Sequence, residues 1–182
     1  MQHLADPNEA ADWLSSEKIL IHPTEGVWGL GCLYNSKKAM QRLSKLKSRS
    51  SSKNYIILCP NIDWVFKLSA DLNKDDLDQY WPGHTTLLLR PSKLCPPELI
   101  SDIDRVAIRV SAHNPIKKLL NILQKPILST SANISGKEQT NNIESIQEIF
   151  DFDDVALYKE RLGNEKKPSK IIDYVTGKVI RA

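Results

Sequence analysis

Five short apolar runs, none longer than a single strand, limit how this chain can fold. They are Lys18–His22 (KILIH), Tyr55–Cys59, Thr86–Arg90, Val106–Val110 and Pro126–Ser129. The intervening stretches carry apolar residues at helical spacing. Ser36 precedes Ala39, Met40, Leu43 and Leu46 as a cap, and Asn61–Leu68, Lys74–Tyr80, Pro115–Leu123 and Ile143–Phe150 read as further helices. Near the N-terminus, Asp6-Pro7-Asn8-Glu9 reads as a helix start, with Asp6 as N-cap, Pro7 at the first helical position and Glu9 closing a capping box. Two late strands, Lys170–Asp173 and Lys178–Arg181, flank the turn residues Val175-Thr176-Gly177. Alternation early and local pairing late predict one α/β domain over residues 1–182. Its twisted sheet mixes parallel and antiparallel strands and is flanked by helices.

Hydrophobic residues make up 41% of the chain and charged residues 26%, proportions that support a packed core in water. No apolar run approaches the roughly 18–20 residues of a membrane span, and the first residues lack the layout of a signal peptide. The three cysteines, Cys32, Cys59 and Cys95, are odd in number and widely spaced. That argues against a disulfide framework or a structural zinc site and for free thiols in a reducing cytoplasm.

Charge is distributed unevenly. Residues 37–53 hold seven cations (Lys37, Lys38, Arg42, Lys45, Lys47, Arg49 and Lys53) and no carboxylate. The whole chain carries only +3, so the rest sums to −4. A local cationic segment suits phosphates and other polyanions; it equally suits a solvated helix face. Three polar segments stand beside it. Pro23–Gly31 (PTEGVWGLG) has three glycines in six residues, but its spacing fits neither a dinucleotide fingerprint nor a P-loop, and by itself it reads as a tight turn. Lys47-Ser48-Arg49, trailed by Lys53, can converge on one anion or form a surface loop. Ser129–Gly136 (STSANISG) follows an apolar strand and suits a polar ligand or a helix cap.

Taken in order, these segments resemble the YrdC/TsaC family of threonylcarbamoyl-AMP synthases. PTEGVWGLG is similar to PT[DE]xxYGLG. Lys47 and Arg49 match the KxR pair, and Ser131 and Asn133 match SxN. WPGHTT (81–86) is similar to WPGPxT, RVAIRVSAHNP (105–115) to VGVRxPxHP, and PSKIID (168–173) to PSTIxD. The matches span about residues 18–173. The resemblance implies a YrdC-like fold and the short form of the family, without an additional C-terminal domain. It implies that L-threonine, bicarbonate or CO2, and ATP with Mg2+ give threonylcarbamoyl-adenylate and pyrophosphate. A downstream tRNA-modifying complex then uses the adenylate on the adenosine beside the anticodon.

On the same resemblance, Lys47 and Arg49 would serve the ATP phosphates and the reacting carbamate or threonine's carboxylate. Thr24 and Ser131 would contact threonine or nucleotide, Asn133 a phosphate or ribose, and Arg109 threonine's carboxylate or a phosphate. Lys53 and Ser169 would lie on the nucleotide side, whereas His22 reads as a core histidine. The sequence departs from the family pattern at Trp28 for Tyr or Phe, Ser50 and His84 for proline, and Lys170 for Thr. The reading from another class is a noncatalytic RNA-binding or ribosome-associated module, binding RNA weakly through the basic surface. A third is a carbamoyl-transfer domain of the hydrogenase-maturation kind, which this chain's length and its lack of zinc-finger cysteines disfavour.

Overall fold

A computed structural model describes residues 1–48 and 55–182. The apolar runs become strands of one mixed sheet. Along it lie β1 (Gln2–Leu4), β9 (Val155–Tyr158), β2 (Ile19–His22), β3 (Gly29–Leu33), β8 (Ile127–Ser131), β4 (Ile56–Leu58), β7 (Val106–Arg109), β6 (Thr85–Pro91), β10 (Lys170–Asp173) and β11 (Val179–Arg181). A two-residue β5 (Ser69–Ala70) pairs with β6. β2 runs parallel to β9, β4 to β7, and β6 to β10. The pairs β2/β3, β3/β8, β4/β8, β6/β7 and β10/β11 are antiparallel, so the sheet is mixed as expected.

Strand β2 is buried throughout because both faces of the sheet are covered. Its side chains alternate: Leu20 packs on one face, and Ile19 and Ile21 on the other. On the Leu20 side lie α1 (Pro7–Ser15) and α4 (Asn114–Leu123), which contribute Ala10, Leu14, Ile116 and Leu120. The opposite side receives α2 (Lys37–Leu46), with the expected Ala39, Met40, Leu43 and Leu46 buried and its cations turned outward. Ser36 caps α2 by accepting the Ala39 N–H at 3.1 Å. Helices α3 (Ile62–Leu68) and α5 (Ile143–Ile149) complete the five α-helices among the described residues. None is long and apolar enough to cross a membrane.

Three expectations need correction. Lys74–Tyr80 forms only a 3-10 turn at Lys74–Asp76, since Leu77 is its one fully buried side chain and no apolar stripe exists to hold a helix. At the start of α1, Asp6 accepts from Asn8, at 2.7 Å from the backbone and 2.8 Å from the side chain. Among the described residues no hydrogen bond joins the Glu9 carboxylate to the Asp6 N–H, so the capping box is not closed. The glycine-rich Pro23–Gly31 segment does not end as a turn: Gly29 and Gly31 are strand residues in β3 with ordinary φ. A Cβ on Gly29 would strike the His22 ring, and one on Gly31 the Leu128 carbonyl of the adjoining strand. Their purpose is close approach between strands.

Candidate active site

The 23–28 connection is pinned from below and above. The Thr24 hydroxyl donates to the Val27 carbonyl at 2.7 Å and accepts the Gly26 and Val27 N–H groups, turning the chain back on itself. Residues 163–167 cross over it. Gly163 N–H donates to Thr24 O and Glu165 N–H to Glu25 O, both at 2.9 Å, and the Lys167 carbonyl packs on Gly26 where a Cβ would stand.

Glu25 points into the protein. Its Oε1 accepts from Ser111 Oγ (2.8 Å) and Ala112 N (3.0 Å), and its Oε2 is ion-paired with Arg109. Burial pushes the Glu25 carboxyl up, but the Arg109 charge, the Arg109 hydrogen bond and the Ser111 donor outweigh it and hold it below its ordinary value. Arg109, at the end of β7, also donates from Nε to Gly83 O at 3.1 Å, and its other guanidinium nitrogen lies 3.2 Å from His84 Nδ1.

Lys47, the C-cap of α2, is only 2% exposed. Its Nζ donates to Ser131 O at 2.5 Å and Asn133 O at 2.6 Å, while its own carbonyl accepts from Ser135 N. Ser131 Oγ donates to Asn133 Oδ1 at 2.6 Å, and Asn133 Nδ2 donates to Lys137 O. One ammonium thus fixes the whole polar loop that follows β8.

These pieces surround a cleft of about 380 Å³. Thr24, Trp28 and Gly29, Ser129–Ser131, and Arg109, Pro168, Ser169 and Arg181 all line it. Of the residues singled out in the sequence, Thr24, Arg109, Ser131 and Ser169 line it, whereas Lys47 and Asn133 stand behind Ser131. Arg49 and Lys53, with Ser50, lie outside the described residues. His22 is fully buried behind Gly29. Its Nδ1 donates to Pro23 O at 3.1 Å, and burial above all pushes its pKa down to about 4.

Two cleft residues escaped the sequence reading. Arg181 donates from Nε to Ser169 O (2.8 Å) and from a terminal nitrogen to Ser169 Oγ (3.2 Å), and among the described residues it has no carboxylate partner. Burial first, and then the Arg109 charge, lower its pKa. Gln139 brings a buried Nε2 donor without a protein partner to the same cleft. The only sequence signal for Arg181 is a lone arginine ending the last strand; Gln139 carries none. Two guanidiniums, several hydroxyls and an indole suit an anionic ligand with a flat or apolar portion.

The Sua5/YciO/YrdC family model, described as telomere recombination, matches residues 12–182. A threonylcarbamoyl-AMP synthase of Buchnera aphidicola subsp. Schizaphis graminum is 41% identical over 174 residues, covering 92% of this chain and 90% of the relative. A protein of the same name in Pseudomonas fluorescens is 35% identical over 176 residues, covering 95% of each. Among solved structures, P. abyssi Sua5 complexed with L-threonine superposes with a TM-score of 0.84 at 25% identity over 96% of this chain. The chain spans about half of that protein, 54% of its length. E. coli YciO shares the fold, with a TM-score of 0.83 at 24% identity, covering 99% of this chain and 92% of YciO.

Proposed function

The chain belongs to the Sua5/YciO/YrdC family, and from that membership we propose that it is a threonylcarbamoyl-AMP synthase. It takes L-threonine, bicarbonate or CO2, and ATP, and forms threonylcarbamoyl-adenylate and pyrophosphate. The adenylate passes to a tRNA-modifying complex that builds threonylcarbamoyladenosine beside the anticodon, and the enzyme works in the cytoplasm with its three cysteines free.

The single observation that carries this reading is the pair Arg109 and Arg181 at one cleft, with Arg181 lacking a carboxylate partner among the described residues. A bound anion supplies the missing negative charge. In the reaction, threonine's amine adds to CO2 to give a carbamate. A carbamate oxygen attacks the α-phosphorus, and the bond to the bridging oxygen breaks as pyrophosphate leaves. No protein nucleophile is required, so the protein's part is positioning and charge stabilisation. Arg109 and Arg181 clamp the threonine carboxylate and a phosphate. Ser131 and Thr24 bound the threonine side, with Ser169 on the nucleotide side. Lys47 holds the Ser131–Asn133 loop and places positive charge behind it, while Asn133 orients the phosphate or ribose. Arg49 and Lys53 complete the cationic set at the phosphates. Mg2+ would be carried by the ATP phosphates, whose charge it would neutralise.

The test is pyrophosphate release from ATP and Mg2+ with threonine and bicarbonate each supplied or omitted. Release that needs both, and that Lys47→Ala abolishes in a folded protein, is the expected result. Folded protein with no release above background overturns the proposal and favours RNA binding by the basic surface.

A further inference from the structure

His84 occupies the position at which the WPGPxT pattern has its second proline. Its ring joins two parts of the cleft that are distant in sequence. Nδ1 lies 3.2 Å from an Arg109 guanidinium nitrogen, and Nε2 lies 2.9 Å from the Lys167 carbonyl. A guanidinium only donates and a carbonyl only accepts. The two contacts together fix the neutral ring: Nδ1 accepts from Arg109, and Nε2–H donates to Lys167. The backbone reinforces the link, because Lys170 N–H donates to His84 O at 3.1 Å. Lys167 directly precedes Pro168 and Ser169, which line the cleft.

We infer that His84 is a positioning residue. Through these two bonds its ring locks the cleft-facing arginine to the 167–169 segment. The inference rests on the reading that Arg109 holds an anionic group of a substrate. A proline ring at this position would offer neither the acceptor for Arg109 nor the donor for Lys167.

The experiment measures kcat and KM for threonine and for ATP in the pyrophosphate assay. Three forms of the full chain are compared: wild type, His84→Ala and His84→Gln. His84→Ala is expected to raise one of the two KM values about tenfold, with kcat within about twofold. Glutamine both accepts and donates without titrating, and should bring KM back to within about threefold of wild type. An alanine variant with wild-type KM values overturns the inference, as does a glutamine variant no better than alanine. Long-range proton–nitrogen spectra of histidine-labelled protein give a readout independent of activity: hydrogen on Nε2 with Nδ1 bare supports the lock, and hydrogen on Nδ1 overturns it. If wild type released no pyrophosphate, the proposed synthase function would fall, and the spectrum would still decide for or against the lock.

Discussion

Lys47 has a structural role that can be measured apart from the catalytic role proposed for it. Its ammonium satisfies two carbonyls of the loop after β8. Lys47→Met would leave both without their cationic donor, and should cost about 2–3 kcal/mol, read as a lower denaturation midpoint. That is a fraction of the roughly 5–15 kcal/mol of a typical domain, so the variant remains folded while losing pyrophosphate release. An unchanged midpoint would refute this account of the loop. His22 makes a second residue-scale prediction. The unfolded chain binds a proton near pH 6.5, but the buried ring does so only near pH 4. Its contribution to stability is therefore complete above about pH 6.5 and declines as pH falls toward 4, by roughly 3 kcal/mol in all. His113, also held below its ordinary value mainly by burial, adds to the same slope. His22→Asn keeps a donor for the Pro23 carbonyl and should flatten most of the slope in denaturant titrations between pH 6.5 and 4.5. If the slope persists, His22 is not its source. At this scale the sequence was informative where motif order gave neighbours a meaning: Thr24, Arg109, Ser131 and Ser169 all reach the cleft. Glu25 and Arg181 were silent because their importance comes from Arg109, 84 and 72 residues away, and Gln139 because it gains meaning only from the cleft it lines.

At the scale of elements, apolar runs that supply their own burial were legible, and β2, β4, β6, β7 and β8 fall close to where they were expected. β3 was hidden because its glycines look like breakers until the neighbouring strands are in place. Gly31→Ala would press a Cβ on the Leu128 backbone carbonyl, which cannot yield without disturbing the β3/β8 pairing. A loss of about 1–3 kcal/mol is expected from such overpacking. Gly29→Ala meets a side chain instead, the His22 imidazole, so its cost should depend on that ring. In a double-mutant cycle, Gly29→Ala in the His22→Ala background should be milder than in wild type, with a coupling of about 0.5–3 kcal/mol. Additive effects would show that the strand spacing, rather than the ring, sets the requirement for glycine. The short β1 and β9 were hidden for another reason. They pair with each other, parallel, at the N-terminal end and late in the chain, and nothing local announces such a partner.

The whole molecule is organised so that residues 24 to 181 meet around one cleft, and the two arginines there come from β7 and β11, separated by β6 and β10. Bringing Arg109 and Arg181 together raises the electrostatic energy of the unliganded protein, and a bound phosphate or carboxylate relieves it. Ligand binding should therefore appear as stability of the entire sheet. At a ligand concentration a hundred times Kd, mass action contributes about 2.7 kcal/mol, which for a chain of this size corresponds to a rise in Tm of roughly 5–10 °C. ATP with Mg2+ and threonine should produce such a rise. Arg181→Gln should reduce it by lowering ATP affinity about tenfold, the scale of a lost charge-assisted contact. The unliganded Tm should change little, because among the described residues the hydrogen-bond partners of Arg181 are the carbonyl and hydroxyl of Ser169. A full ligand shift in Arg181→Gln would remove Arg181 from the site. A large fall in the unliganded Tm would make it a structural tie between β11 and β10. The expected pattern, intact fold with weakened ligand stabilisation, is what a protein shows when two cations are held together for a substrate that supplies the negative charge.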